Sequence, residues 1–400
     1  MILRKHYIAQ IRPFYDSDLI KVITGIRRCG KSVILGQIEE ELRKAGKRTL
    51  KLDFERHSVY AAIDTGTKLF DYVMKQIGEE KLYVFLDEVQ VIENWNLACK
   101  ALRLENISLF ITGSNSKLLS GEFTKELSGR YVSFCVRPFV YKEAKEYCNE
   151  LGKSLEIEDY LIYGGFPKIF ELPDRESVER YLNDLNDTIV MNDIMNRYSI
   201  RKTALFSRLV DYVLVSNARI FSASSIQKYM AGQNETCSVN TIMKYIAYLE
   251  EAYVIRQIPQ YSGKAKRNLD YSAKIYDEDV SFNTIRRING RYDLTHNLEN
   301  IIYNELIYMG YELSVFRYDN LEIDFLARKG KKEYLVQVAY SIAEESTYAR
   351  EYAMFNKLDN SRSKIMITND GVDFSTSTVR HIRLKDFLMM ESLEENGTGL

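Results

Sequence analysis

From Met1 to about residue 140 the chain alternates short apolar runs with longer stretches in which apolar residues recur every three or four positions. Leu19–Ile23 reads as a buried strand, and Val33-Ile34-Leu35 opens a stretch of helical spacing that lasts to Arg43. Arg48–Phe54 alternates with the period of two that a strand requires, and helical spacing returns from about Thr67 to Gly78. Lys81–Glu88 is an apolar run ending in two carboxylates. A helix is expected after Trp95, through Leu104, and Ile107–Asn115 is a strand ending in small polar residues. Arg4–Tyr15, ahead of the first strand, is amphipathic and predicts a helix packed beside the ligand. Strands alternating with helices predict an α/β parallel sheet with its ligand at the carboxyl ends of the strands.

Beyond residue 140 the periodicity changes. Tyr141–Arg201 is helical and rich in charge, broken at Gly164-Gly165 and at Pro173. Leu205–Val215 predicts a helix, Ser222-Ala223-Ser224-Ser225-Ile226 the capped start of a short one, and Ser238-Val239-Asn240-Thr241 the start of a periodic one ending at Leu249. Val254–Pro259 and Lys274–Tyr276 read as strands. Leu298–Met309 is a helix carrying Glu299 and Glu305, followed by strands at Glu312–Tyr318, Leu321–Ala327 and Glu333–Tyr340. Proline is scarce and no long flexible linker appears, so the parts are expected to pack directly. The expected partition is an α/β core over 1–140, a helical lid or connector over 141–202, further domains over 203–280 and 281–390, and a polar, flexible tail over 391–400.

Gly25-Ile26-Arg27-Arg28-Cys29-Gly30-Lys31-Ser32 has the G-x-x-x-x-G-K-S spacing in the strand–loop–helix context that a P-loop requires. The glycines let backbone N–H groups curl around phosphate oxygens, and the helix start adds its partial positive charge. Lys31 is placed to reach the β- and γ-phosphates, and Ser32 to give its hydroxyl to Mg²⁺. This loop, with Val33 behind it, predicts a nucleoside triphosphate site. Leu86-Asp87-Glu88 fits the accompanying Walker B pattern, in which Asp87 supports Mg²⁺ through water and Glu88 polarises the attacking water. No motif reads adenine over guanine.

Composition narrows this picture without redirecting it. With 400 residues, 46% hydrophobic and 28% charged, the chain is globular and too long for one ordinary core. A formal net charge of −1 confines any nucleic-acid surface to a local patch. Cys29, Cys99, Cys135, Cys148 and Cys237 are scattered and lack C-x-x-C spacing, which argues against a zinc site or a disulfide framework and fits a reducing cytoplasm. Met1–His6 is charged too early for a signal peptide, and no apolar run reaches the roughly 18 residues of a membrane span, so a cytoplasmic chain is expected.

Gly25–Ser32, Leu86-Asp87-Glu88-Val89-Gln90, Thr112-Gly113-Ser114-Asn115, Leu127-Ser128-Gly129-Arg130 and Tyr163-Gly164-Gly165-Phe166-Pro167 together resemble a large family of prokaryotic AAA-type ATPases. Its members join an N-terminal ATPase to a C-terminal region of poorly defined function. The resemblance implies ATP as the nucleotide, a γ-phosphate-sensing polar residue at Ser114 or Asn115, and a sensing or finger arginine at Arg130. Taken alone, Gly-Ser-Asn is also ordinary turn chemistry, Arg130 is one arginine after a glycine turn, and Gly-Gly-Phe-Pro is a chain reversal with an apolar plug. AAA-type relatives often form rings; no residue here marks an interface.

Residues from about Thr203 to Tyr261 resemble a winged helix. In DNA-binding versions the third helix would offer Asn240, Thr241, Lys244 and Tyr245 to the major groove, and the turn with Lys264, Lys266 and Arg267 would meet phosphates. Winged helices serve protein contacts as often. The last third resembles a PD-(D/E)xK nuclease fold with Asp324 in the first acidic position, but Gln337 and Ala339 stand where a second acid and a lysine belong. An amide lacks the charge that anchors a hard cation, and Ala339 can donate nothing to a pentavalent phosphate. Glu305 could add a carboxylate from the helix, with the lysine still missing. A nuclease-like domain that has lost cleavage is expected. Three outputs follow: ATP hydrolysis coupled to DNA binding or remodelling, a slow nucleotide switch acting on a protein partner, or an ATP-gated nuclease.

Overall fold

The first apolar runs form one parallel sheet in the computed structural model, which describes residues 2–114, 127–233, 235–262, 273–287, 291–318 and 321–394. The strands are β1 (Ile20–Thr24), β2 (Arg48–Asp53), β3 (Leu82–Asp87), β4 (Ile107–Gly113) and β5 (Tyr131–Cys135), in the order β2-β3-β4-β1-β5. Position in that order explains the sequence pattern. The three inner strands are buried along their whole length and read as continuous apolar runs, whereas the edge strands β2 and β5 keep exposed positions. Lys21 is the exception inside β1. Its Nζ donates to Ser108 Oγ (2.8 Å) and to the Ser17 carbonyl (3.2 Å), and burial, with Lys81 nearby, pulls its pKa down to about 7.

Helices α1 (Lys5–Ile11), α2 (Lys31–Lys44), α3 (His57–Ala62), α4 (Gly66–Met74) and α5 (Trp95–Leu102) complete this part. Because β1 lies between β4 and β5, while β2 is at the far edge, the chain crosses the sheet directly after β1. That crossover leaves a crevice at the carboxyl ends of β1 and β4, where a ligand of an open α/β sheet belongs. The register sets Thr24 opposite Gly113.

The chain divides into two compact units, Met1–Pro138 with Glu251–Tyr253, and Phe139–Glu250 with Val254–Leu400. The second opens with α6 (Tyr141–Glu150), α7 (Ile157–Tyr163) and α8 (Arg175–Asn186), continues through α9 (Thr203–Val215), α10 (Ala223–Gly232) and α11 (Val239–Glu251), and later carries α12 (Leu294–Tyr308) and α13 (Glu345–Asn356). Ser222 caps α10 by accepting the Ser225 N–H. On α11 the buried positions are Ile242, Tyr245, Ile246 and Leu249, one stripe at helical spacing. Tyr245 therefore belongs to the packed face, contrary to the expectation that it is exposed with its neighbours; Asn240 and Lys244 are exposed and Thr241 half-buried.

The strands of this unit are β6 (Arg219–Phe221), β7 (Ile255–Ser262), β8 (Ala273–Asp277), β9 (Glu312–Tyr318), β10 (Leu321–Lys329), β11 (Lys332–Ala339), β12 (Ser363–Thr368) and β13 (Val379–Arg383). They form one sheet in the order β13-β12-β11-β10-β9-β7-β8-β6. The parallel pairing of Gln260–Ser262 on β7 with Val315–Arg317 on β9 is the seam between the two halves of that sheet.

The Gly164-Gly165-Phe166-Pro167 reversal has a physical reason for each glycine. The Gly165 N–H donates to Asp279 Oδ2 (2.7 Å), and a Cβ on Gly165 would stand 2.0 Å from the Phe139 carbonyl oxygen. Gly164 sits at φ 73°, and its Cβ would overlap the same Asp279 carboxyl group. Phe166 is the plug, fully buried and edge-on to Phe282.

Candidate nucleotide site

The chain leaves β1 through Gly25, at φ 138°, where a Cβ would stand 2.0 Å from the Val136 carbonyl oxygen. It enters α2 through Gly30, at φ 102°, which has no side chain to cap the helix. The first N–H groups of α2 are thus left to an anion, with the helix dipole behind them. Lys31 is buried, and its Nζ donates to the carbonyls of Gly25 (3.2 Å) and Ile26 (3.1 Å). The ammonium is therefore held within the bend of the loop. Ile26 is buried, Arg27 and Val33 are half-buried, and Arg28 and Ser32 are exposed. Cys29 is buried, with its thiol 3.3 Å from the Val136 carbonyl oxygen. Arg4, buried ahead of α1, donates to the carbonyls of Cys29 and Arg137 at 3.1 Å each.

The carboxylates arrive from β3. Ser32 Oγ donates to Asp87 Oδ1 (3.1 Å). The Thr112 hydroxyl, from β4, donates to the same oxygen and accepts the Glu88 N–H (2.9 Å). Glu88 adopts φ 53°, a left-handed conformation uncommon for a residue other than glycine, and its Oε1 lies 3.9 Å from Lys31 Nζ. Gln90 Nε2 donates to Glu88 Oε2. A loop lysine, a helix-start hydroxyl and two adjacent carboxylates thus converge at the crevice. Hard oxygen donors beside a phosphate cradle suit Mg²⁺ with a nucleotide.

Residues 17–145 match the AAA domain family, and residues 154–287 match a domain family of unknown function (DUF8612). An uncharacterized protein of Haemophilus influenzae is 34% identical over 92% of this chain and 93% of its own. An uncharacterized protein of Methanocaldococcus jannaschii is 30% identical over 88% of this chain and 82% of its own. The chain belongs to their family, and its first unit is an AAA domain. Among solved structures, a Walker-type ATPase of Pyrococcus abyssi overlays with a TM-score of 0.49 at 16% identity, over 72% of this chain and 96% of that one. The replication initiator DnaA bound to AMPPCP and single-stranded DNA overlays with a TM-score of 0.34 at 17% identity, over 61% of this chain and 86% of that one.

Within the AAA domain, the structure brings Gly25–Val33, Asp87 and Glu88 together. Ser114 follows Gly113, so the β1–β4 register places it level with Gly25. Asn115 lies outside the described residues. Arg130 is elsewhere: its carbonyl accepts the Ile20 N–H (3.0 Å), and Tyr131 pairs with Ile20 at the amino end of β1. Five strand residues, roughly 15 Å by strand rise, separate that end from Gly25. Thr112 belongs to the Thr112–Asn115 motif, and the contact that gives it a role crosses between strands, where linear spacing leaves no mark. Arg4, expected to open an amphipathic helix, also reaches the loop at the Cys29 carbonyl, a contact that periodicity does not display. Among the described residues no helix is long and apolar enough to cross a membrane.

In the second unit, Asp324 on β10 accepts from Lys274 Nζ at Oδ1 (3.0 Å) and from the Val338 N–H at Oδ2 (3.0 Å). Gln337 accepts the Asp324 N–H at Oε1 (3.2 Å) and donates to Glu351 Oε2 (3.0 Å). Ala339 is buried at the end of β11. Contrary to the expectation that Glu305 could add a carboxylate to Asp324, it is engaged elsewhere. Its Oε1 accepts the Tyr141 N–H (2.8 Å), and Glu299, six residues earlier on α12, is the helix acid that shares Lys274 with Asp324. Six residues turn a helix by well over half a revolution beyond the first turn, so the two acids face different neighbours. Lys264, Lys266 and Arg267 lie outside the described residues.

Proposed function

We propose that the AAA domain is a Mg²⁺-dependent ATPase whose hydrolysis is coupled to DNA binding or remodelling through the second unit. The observation that carries the hydrolysis reading is the bonded chain Ser32–Asp87–Thr112–Glu88, which fixes a metal-supporting carboxylate beside a second carboxylate at the mouth of the loop. The α2 N–H groups and Lys31, exchanging its loop carbonyls for phosphate oxygens, bind the β- and γ-phosphates. Ser32 and Asp87 would hold Mg²⁺, which would supply charge neutralisation of the phosphate oxygens. Glu88 orients the attacking water, and its left-handed backbone is held by the Thr112 hydroxyl. Ser114 is the described candidate for sensing the γ-phosphate. Arg130, at the opposite end of β1, would serve as a finger only toward the nucleotide of a second copy of the chain.

The DNA reading draws on α9–α11 with β7 and β8 as a winged-helix arrangement that leaves Asn240 and Lys244 exposed on its third helix. The strands β9–β11 behind α12 read as a nuclease-like sheet with Asp324 in the first acidic position. Steady-state ATP hydrolysis with and without duplex DNA, with Lys31→Ala as the blank, tests the coupling. Stimulation by DNA is the expected result. Slow turnover indifferent to DNA contradicts it and favours a nucleotide switch acting on a protein partner.

A further inference from the structure

Three carboxylates of the second unit surround one ammonium. Lys274 Nζ, on β8, lies 2.6 Å from Glu299 Oε1 on α12, 3.0 Å from Asp324 Oδ1 and 3.8 Å from Glu322 Oε1, both on β10. The lysine side chain is only 6% exposed, and those of Glu299 and Asp324 are 12% exposed. An amine held this closely between two largely buried acidic side chains, at 2.6 Å and 3.0 Å, is placed as their counter-ion, an ammonium.

We propose that the Lys274 ammonium stands where a nuclease-like sheet would keep its divalent cation, so that this cluster is locked without metal and does not cleave nucleic acid. The inference rests on the nuclease-like reading of β9–β11 for its comparison and is independent of the ATPase reading. A hard cation requires about six oxygens with lone pairs to spare. Both oxygens of Asp324 are already engaged, one by Lys274 and one by the Val338 N–H. Glu299 Oε1 takes two donors, Lys274 and the Tyr276 hydroxyl (2.6 Å). Gln337 occupies the second acidic position as an amide with both ends bonded. A divalent cation would have to expel the ammonium and break these bonds, and the residues present do not fit one. Removing the ammonium reverses the balance. It leaves buried carboxylates without their counter-charge, a costly arrangement that a small cation can relieve.

The test titrates Mn²⁺ without nucleotide into the full chain, counting bound metal by electron paramagnetic resonance. Wild type and Asp324→Asn should bind the same amount. Lys274→Met should gain one Mn²⁺, lost again in the Lys274→Met/Asp324→Asn pair, and should show a Mn²⁺-dependent rise in melting temperature absent from wild type. Metal that wild type binds and Asp324→Asn loses would overturn the inference, as would a folded Lys274→Met that gains none. Should Lys274→Met fail to fold, plasmid nicking with Mg²⁺ or Mn²⁺ by wild type and by Glu322→Gln decides. Nicking that disappears in the half-buried variant Glu322→Gln overturns the inference, and its absence supports it. ATP hydrolysis on the same wild-type preparation separates this result from the fate of the ATPase reading.

Discussion

Thr112 carries more of the nucleotide site than its place in a glycine–serine turn implies. One hydroxyl donates to Asp87 and accepts the Glu88 N–H, so it sets both the Asp87 oxygen that faces Ser32 and the backbone that aims the second carboxylate. Thr112→Val keeps the shape and removes both bonds. Turnover should fall about 10–100-fold, the usual effect of losing a partner that orients a metal ligand, with nucleotide affinity little changed. Parallel kcat and nucleotide-binding measurements check this, and an unchanged kcat removes the role assigned to Thr112. At this scale the sequence was informative where contacts are local. Gly25, Gly30, Lys31 and Ser32 act within one loop, so their spacing displays their chemistry. Thr112 and Lys274 act across strands, and nothing in linear spacing marks such partners. Glu305 was one of two acids on a helix whose facing direction depends on what the helix packs against, and Glu299 proved to be the one turned to Asp324.

At the scale of elements, the Gly-Gly-Phe-Pro reversal and the start of α6 are tied to distant parts of the second unit. Gly165→Ala would drive a methyl into the Phe139 carbonyl, a backbone atom that cannot rotate away. The expected cost is about 1–3 kcal/mol, visible as a lower denaturant midpoint. A midpoint equal to that of wild type would show that the reversal relaxes freely. Glu305 gives a dependence on pH. Burial raises its carboxyl to about 8, against an ordinary value of 4.5, although the Tyr141 N–H opposes the shift. The folded chain thus keeps a proton that the unfolded chain releases. The resulting stability is complete below about pH 4.5 and is lost as pH rises through about 8. Melting temperature should fall more steeply between about pH 4.5 and about pH 8 in wild type than in Glu305→Gln, which stays neutral throughout, with no further difference in slope above that range. Coincident profiles would contradict this. The strand and helix order of the AAA domain was legible because buried inner strands and amphipathic helices have distinct periods. The β7–β9 seam was not, because pairing partners separated by more than fifty residues leave no periodic trace in either strand.

For the whole molecule, the position of Arg130 at the amino end of β1 and β5 bears on assembly. A finger role would make turnover depend on contact between chains. Arg130→Ala should then lower hydrolysis while preserving ATP binding, and the wild-type specific activity should rise with protein concentration. Specific activity independent of concentration, together with full activity of Arg130→Ala, would exclude that role. The expected −1 net charge and the absence of a global basic field are consistent with DNA contact only at a local surface, to which Asn240 and Lys244 would contribute.

One comparison decides whether the loop and the paired carboxylates form a working hydrolytic site. ATP binding and Mg²⁺-dependent phosphate release would be measured side by side for wild type, Lys31→Ala and Glu88→Gln. Release by wild type alone is the expected result, with binding retained in Glu88→Gln and lost in Lys31→Ala. Sustained phosphate release by Glu88→Gln would contradict it.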